Sequence, residues 1–216
     1  MGNWADRPLA TGGLYGRCAG RCSAIHNRRG ADRVSGVALI LLRHQKPKTS
    51  EGLCYGQTDL EPEGDPAEIA KTLLPQLPQF TAIVSSPLKR CRLLAQAIAT
   101  LTDRPLDIEP MLSEIHLGHW ENRAWDEIPR SEIDAWAENV LEATPHGGES
   151  VADFYERVTP GLRNLIKSPG TILLVAHNGT YKAACRLLGR KDADQATLGY
   201  QCFEMLDGLE TQLPQP

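Results

Sequence analysis

Val37-Ala38-Leu39-Ile40-Leu41-Leu42-Arg43-His44-Gln45 carries the strongest structural signal in the chain. Six uncharged residues in a row, none with a hydrogen-bonding side chain, give way to a guanidinium and an imidazole side by side. An apolar run of that length predicts a strand buried on both faces, the kind found inside a parallel sheet. Open α/β sheets bind ligands in the crevice beyond the carboxyl ends of their strands, so Arg43 and His44 are predicted to stand in such a crevice. On its own the pair also fits a strand that merely ends in a basic loop. Other strands must deliver matching groups to the same edge.

Two further apolar runs do so. Ala82-Ile83-Val84-Ser85 predicts a second buried strand, followed by Ser86-Pro87 and a helix in which Leu88, Cys91, Leu94, Ala95, Ile98 and Leu101 recur at helical period. Ser86 reads as its N-cap and Pro87 as its first residue, which puts Arg90 in the first turn. Thr171 to Val175 predicts a third strand, ending in Ala176-His177-Asn178-Gly179, with a helix from Tyr181 to Leu188 behind it. Three strands each followed by a helix predict an α/β three-layer sandwich, a mostly parallel central sheet flanked by helices. Its carboxyl edge would gather Arg43, His44, Ser86, Arg90 and His177. Two guanidiniums and two imidazoles in one crevice repel one another unless an anion fills it. A tetrahedral phosphoryl group suits the planar Arg forks.

Between and after these strands the pattern is more mixed. Residues 45–65, punctuated by Pro47, Gly52, Gly56, Pro62 and Gly64, read as a long loop, and loops of that length are often functional. Ala67 to Leu74 predicts a short helix stopped at Pro75, Leu106 to Ile108 an edge strand, and Ser131 to Glu142 an amphipathic helix. Residues 111–130 are irregular. His146 to Ser150 reads as a turn capping a long helix with a kink at Pro160, and Tyr200 to Leu206 as a last strand.

The 216 residues carry a net charge of −4, and the first 36 hold six arginines against two acids, so the rest is more acidic than the total suggests. A pI near 5.9 argues against a general nucleic-acid binder, and no apolar run is long enough to span a bilayer. Residues 1–36, rich in Gly, Arg and Ala, show neither period and predict a disordered extension; the same composition fits an organelle transit peptide or a start codon placed early. Residues 37–216 are then the folded domain. No apolar signal-peptide core precedes it, and six cysteines, with Cys91 and Cys185 on apolar helix faces, read as reduced thiols in a cytoplasmic protein. Cys18 and Cys22 lack a second pair at zinc spacing, and His116 and His119 lack a third ligand.

Taken in order, these motifs resemble those of the histidine phosphatase (phosphoglycerate mutase-like) superfamily over about residues 37–206. Leu41-Leu42-Arg43-His44 is similar to the family's opening motif, Ser85 to Arg90 to its Ser-Ser-Pro-Leu-x-Arg, and Leu112 to Glu121 to its Leu-x-Glu-x-x-x-Gly-x-Trp-Glu. Gly147 to Ser150 and His177 to Gly179 complete the set. Cys54 to Asp59 and the short linker from Trp120 to Gly148 resemble the α-ribazole phosphatase branch. The resemblance implies a phosphomonoesterase needing no cofactor and no metal, acting on a small phosphorylated substrate, α-ribazole 5′-phosphate among the options. In that scheme His44 is the nucleophile and Glu114 the proton donor, shielded by Ile115 and Trp120, with Glu121 its rival in the same segment. Arg43, Arg90 and His177 bind the phosphoryl oxygens. Gln57, like Tyr55, either touches substrate or pins the long loop.

Two positions depart from the family: Gln45 and Asn178 stand where glycine is common. They leave room for a non-catalytic phosphate-ester binding module. A mutase is the other alternative, though members of that kind carry a longer linker and tail. No feature of the sequence specifies an oligomeric state.

Overall fold

The computed structural model describes residues 38–48 and 50–206. The Arg-rich extension, Cys18 and Cys22 lie outside that range. β1 (Ala38–Arg43), β3 (Ala82–Ser85), β4 (Leu106–Ile108), β6 (Thr171–Ala176) and β7 (Phe203–Leu206) form one five-stranded sheet in the order β4-β3-β6-β1-β7. Every pairing is parallel except that of β1 with the edge strand β7. β2 (Leu53–Cys54) and β5 (Arg123–Ala124) make a separate two-stranded ribbon.

Strand side chains alternate between faces, and the two cores divide accordingly. Leu39 and Leu41 of β1, with Ile172 and Leu174 of β6, pack under α4 (Val151–Lys167) and α5 (Asn178–Leu187). Ile40, Leu42, Leu173 and Val175 pack on the opposite face under α1 (Pro66–Leu73) and α2 (Lys89–Thr102). Helices on both faces of a mostly parallel sheet make the expected three layers. Leu101 departs from the predicted apolar face of α2 and is exposed.

The register carries the three predicted strand ends to one edge. Arg43 lies opposite Ala176, and Ser85 opposite Val175. The ladder continues one step beyond the strands, with the His44 amide donating to Ala176 O and the Ser86 amide to Val175 O.

Several boundaries differ from the sequence reading. α2 begins at Lys89, and Ser86 does not cap it; the Lys89 amide donates instead to the carboxylate of Asp59 in the long loop, at 2.6 Å. Ser86 is fully buried, with its hydroxyl beside His177. α5 starts three residues earlier than expected, directly behind His177. α3 (Arg130–Glu138) stops short of Glu142, and β7 begins at Phe203 rather than Tyr200. α4 opens on a capping box in which the Ser150 hydroxyl accepts from the Asp153 amide, and it continues through Pro160. Among the described residues no helix is long and apolar enough to cross a membrane.

Candidate active site

Four of the predicted residues meet at the carboxyl edge of β1, β6 and β3. His44 and His177 lie with ring centroids 5.1 Å apart, and both are almost wholly buried. His44 Nδ1 is 2.5 Å from the carbonyl oxygen of Gln45. A carbonyl only accepts, so Nδ1 carries the hydrogen and Nε2 keeps its lone pair. Burial pushes the His44 pKa well below the usual histidine value, and the guanidiniums of Arg90 and Arg43 push the same way; the Gln45 contact opposes them. His177 is also held well below it, first by burial and then by Arg90, His44 and Arg43. Its Nε2 sits 2.7 Å from Ser86 Oγ, with the buried thiol of Cys91 3.5 Å away.

The guanidiniums are fixed by backbone oxygens and aromatic faces. Arg90 is fully buried; it donates to Thr58 O at 2.8 Å and Gly56 O at 2.7 Å and lies over the Tyr55 ring. Arg43 donates to Leu198 O at 2.6 Å and lies 4.0 Å from the centre of the Tyr200 ring. The two tyrosine hydroxyls are 2.8 Å apart, which ties the long loop to the segment before β7. The Nε–H groups of both arginines are buried and find no acceptor among the described residues. Two fixed guanidiniums next to a neutral imidazole suit an anion that brings its own oxygens.

Glu114 and Glu121, equivalent in the sequence, separate cleanly. Glu121 is consumed structurally: its carboxylate accepts from the amides of Gln57 and Leu117, both at 2.9 Å, and from the Thr58 hydroxyl. Glu114 instead lies against the first turn of α5, accepting from the Gly179 amide at 3.3 Å, two residues beyond His177. A Cβ on Gly179 would fall 2.2 Å from Glu114 Oε1 and 2.8 Å from the Phe154 ring, so glycine is what allows this approach. Trp120 does not shield Glu114: its ring packs against Trp125, Trp136 and His146, and its indole N–H donates to Glu132.

Gln57 answers as a pin, since its amide group donates to the carbonyl oxygen of Glu114 at 2.9 Å. Arg157, which no motif singles out, forks onto Glu149 and also donates to the carbonyl oxygens of Met111, Ser113 and Glu114. Tyr200 was equally hidden, lying in what read as an ordinary strand start. Gln45 and Asn178 turn away from the crevice: Gln45 donates to Glu63 O, and Asn178 accepts from the Leu198 amide. His119 pairs with Glu132 and His116 is exposed. No group of three or more His, Cys, Asp or Glu among the described residues is arranged to hold a metal ion.

A cationic crevice at a sheet's carboxyl edge, holding a buried neutral imidazole and a carboxylate, defines a protein equipped to bind and transfer a phosphoryl group. The chain belongs to the histidine phosphatase superfamily (branch 1), whose family model matches residues 39–202. It is similar to the glucosyl-3-phosphoglycerate phosphatase of Mycolicibacterium vanbaalenii, at 32% identity over 70% of this chain and 74% of that one. It is also similar to the adenosylcobalamin/alpha-ribazole phosphatase of Salmonella typhimurium, at 30% identity over 66% and 75%. A solved mycobacterial glucosyl-3-phosphoglycerate phosphatase, in complex with VO3, superposes with a TM-score of 0.65 at 27% identity, covering 78% of this chain and 91% of that one. These relatives are phosphatases of the same superfamily with different named substrates.

Proposed function

We propose that the chain is a metal-independent phosphomonoesterase that works through a phosphohistidine at His44. The observation that carries this reading is the His44 ring itself, with Nδ1–H committed to the Gln45 carbonyl and Nε2 left as a neutral nucleophile beside two guanidiniums. In the first step the Nε2 lone pair forms a bond to phosphorus as the ester P–O bond breaks. Glu114, as the carboxylic acid, gives its proton to the departing alkoxide. In the second step water attacks phosphorus, the P–N bond breaks, and the Glu114 carboxylate takes the water's proton. Inorganic phosphate leaves, with His44 neutral and Glu114 protonated again.

Arg43, Arg90 and His177 hold the non-bridging oxygens throughout. The two guanidinium charges are in place before the reaction starts, so they stabilise the transition state without reorganisation cost, and the neutral His177 adds a hydrogen bond. Two fixed guanidiniums supply the neutralisation that a metal ion provides in other phosphatases, which is the basis for expecting metal independence. The substrate is a small phosphate ester; the names of the relatives make glucosyl-3-phosphoglycerate and α-ribazole 5′-phosphate the first two to assay. The test is phosphate release by wild type and His44→Ala, with and without EDTA. Wild-type activity should survive the chelator and disappear in the variant; full activity in the variant would refute the proposal.

A further inference from the structure

We infer that the leaving group of the substrate is a large, uncharged, aromatic or aliphatic alcohol seated in the cavity beneath α3. This rests on the phosphatase reading above, with Glu114 as proton donor. A cavity of about 860 Å³ opens beside Glu114 and Gly179. Its size is that of a small-molecule site, and Glu114 belongs both to its wall and to the catalytic proposal. An ester whose phosphoryl group sits between Arg43 and Arg90 and whose bridging oxygen meets Glu114 must send its alcohol portion past that carboxylate.

The roof of the cavity is the unusual part. Ile133, Trp136 and Ala137 of α3, continued by Val140 and Leu141, fall three and four residues apart, one apolar stripe, and all five line the cavity. Helices of this length draw most of their stability from packing such a stripe against a core. α2 and α4 do so, each with five buried residues, whereas those of α3 are at most partly buried. The floor opposite, from Ile115, Phe154 and Tyr155, is apolar as well. Ile133 and Trp136 pack on one side against the cluster of Leu117, Trp120 and Ile128 and stay half-exposed on the side of the cavity, where an apolar ligand would cover them.

Charge points the same way. The lining includes the carboxylates of Glu114, Asp126 and Asp194 against the cations of Arg130 and Lys182. Arg130 is salt-bridged to Asp134, and Lys182 donates to the carbonyl oxygen of Asp194. With Glu114 protonated the two acids and two bases of the wall balance, and both cations are engaged, so a leaving group bearing its own carboxylate would lose hydration and meet no uncommitted cation. An uncharged one meets aromatic edges and aliphatic side chains and gains from burial.

A ladder of primary alkyl phosphates tests this on the wild-type chain, because the leaving alcohols differ little in basicity. From ethyl through butyl to hexyl phosphate, kcat/KM should rise by about fourfold per methylene buried. 2-Phenylethyl phosphate should stand at the top of the series and phosphoserine at or below ethyl phosphate. Ile133→Asp and Trp136→Ala should each flatten the ladder. A flat wild-type ladder, or phosphoserine turned over faster than hexyl phosphate, would overturn the cavity assignment while leaving the phosphatase reading intact. Hydrolysis of ethyl phosphate that survives His44→Ala would instead show that the phosphatase reading has failed.

Discussion

The two ends of the site are built in opposite ways. At the sheet edge, His44, Arg90 and His177 are buried, each fixed by a neighbouring backbone or side-chain partner. At the cavity end, α3 offers an apolar stripe that is at most partly buried, and Trp125 and Leu141 are exposed. The first region is dense and over-determined, as a site that must hold charge in place needs to be. The second is loosely packed, so its side chains can change without disturbing the sheet. That division explains how relatives near 30% identity share a family yet carry different substrate names. In the proposed scheme the strand ends and Glu114 do the chemistry, and the choice of alcohol falls to the segment from Ile115 to Leu141.

Breaking the dense end should have the largest effect. Arg90→Ala removes a buried guanidinium and orphans the carbonyl oxygens of Gly56 and Thr58. We expect kcat/KM to fall by about 10³-fold for every ester alike, at the upper range for loss of one transition-state donor. A loss confined to esters with bulky leaving groups would blur the distinction between the two ends. Glu114→Gln should lower kcat by about 10²-fold or more for alkyl esters. Aryl phosphates such as 4-nitrophenyl phosphate need no proton in the first step. With them, rapid-mixing experiments should show a burst of nitrophenol followed by slow turnover; absence of the burst would count against Glu114 as the shared acid and base.

The pH dependence sharpens the same contrast. Because burial and the arginines hold both histidines well below 6.5, activity should persist on the acid side of that value and fall only as His44 protonates. Stability follows the linkage sign: below about 6.5 the unfolded chain takes up protons that the folded chain refuses. Urea midpoints should therefore be highest above that pH and decline as pH falls toward the folded-state values. A midpoint rising on acidification would contradict neutral burial of the pair. The smallest effect belongs to the supports. Arg157→Lys keeps the charge but loses the fork that joins Glu149 to the Glu114 carbonyl oxygen. A drop of about tenfold in kcat is expected, with KM nearly unchanged, if misplacement of Glu114 by a fraction of an ångström is what it costs.

Legibility in the sequence follows the same boundary. β1, β3 and β6 are short apolar runs whose charged or polar ends land on one edge because parallel register leaves no other arrangement, so Arg43, His44, Arg90 and His177 could be placed together from residue order alone. Ser86 misled because its type and its Pro neighbour fit a helix cap; burial beside His177 took the hydroxyl, and Asp59, thirty residues from Lys89, took the capping role. Local rules carry no information about such a long-range substitute. Glu114 and Glu121 could be ranked only by the resemblance, since irregular segments have no period, and the hydrogen bonds that occupy Glu121 come from the long loop. Arg157 and Tyr200 left no local signature, because their contacts lie across the fold.

The proposed reaction stands or falls on a covalent phosphohistidine at His44, which can be trapped. ³²P-labelled ester, mixed with enzyme and quenched in alkali within milliseconds, should leave label on the protein that is stable to base and labile to acid. Peptide mapping should place it on His44, Glu114→Gln should accumulate more of it than wild type, and His44→Ala should carry none. Label on another residue, or full turnover with no labelled protein at any time, would contradict the account.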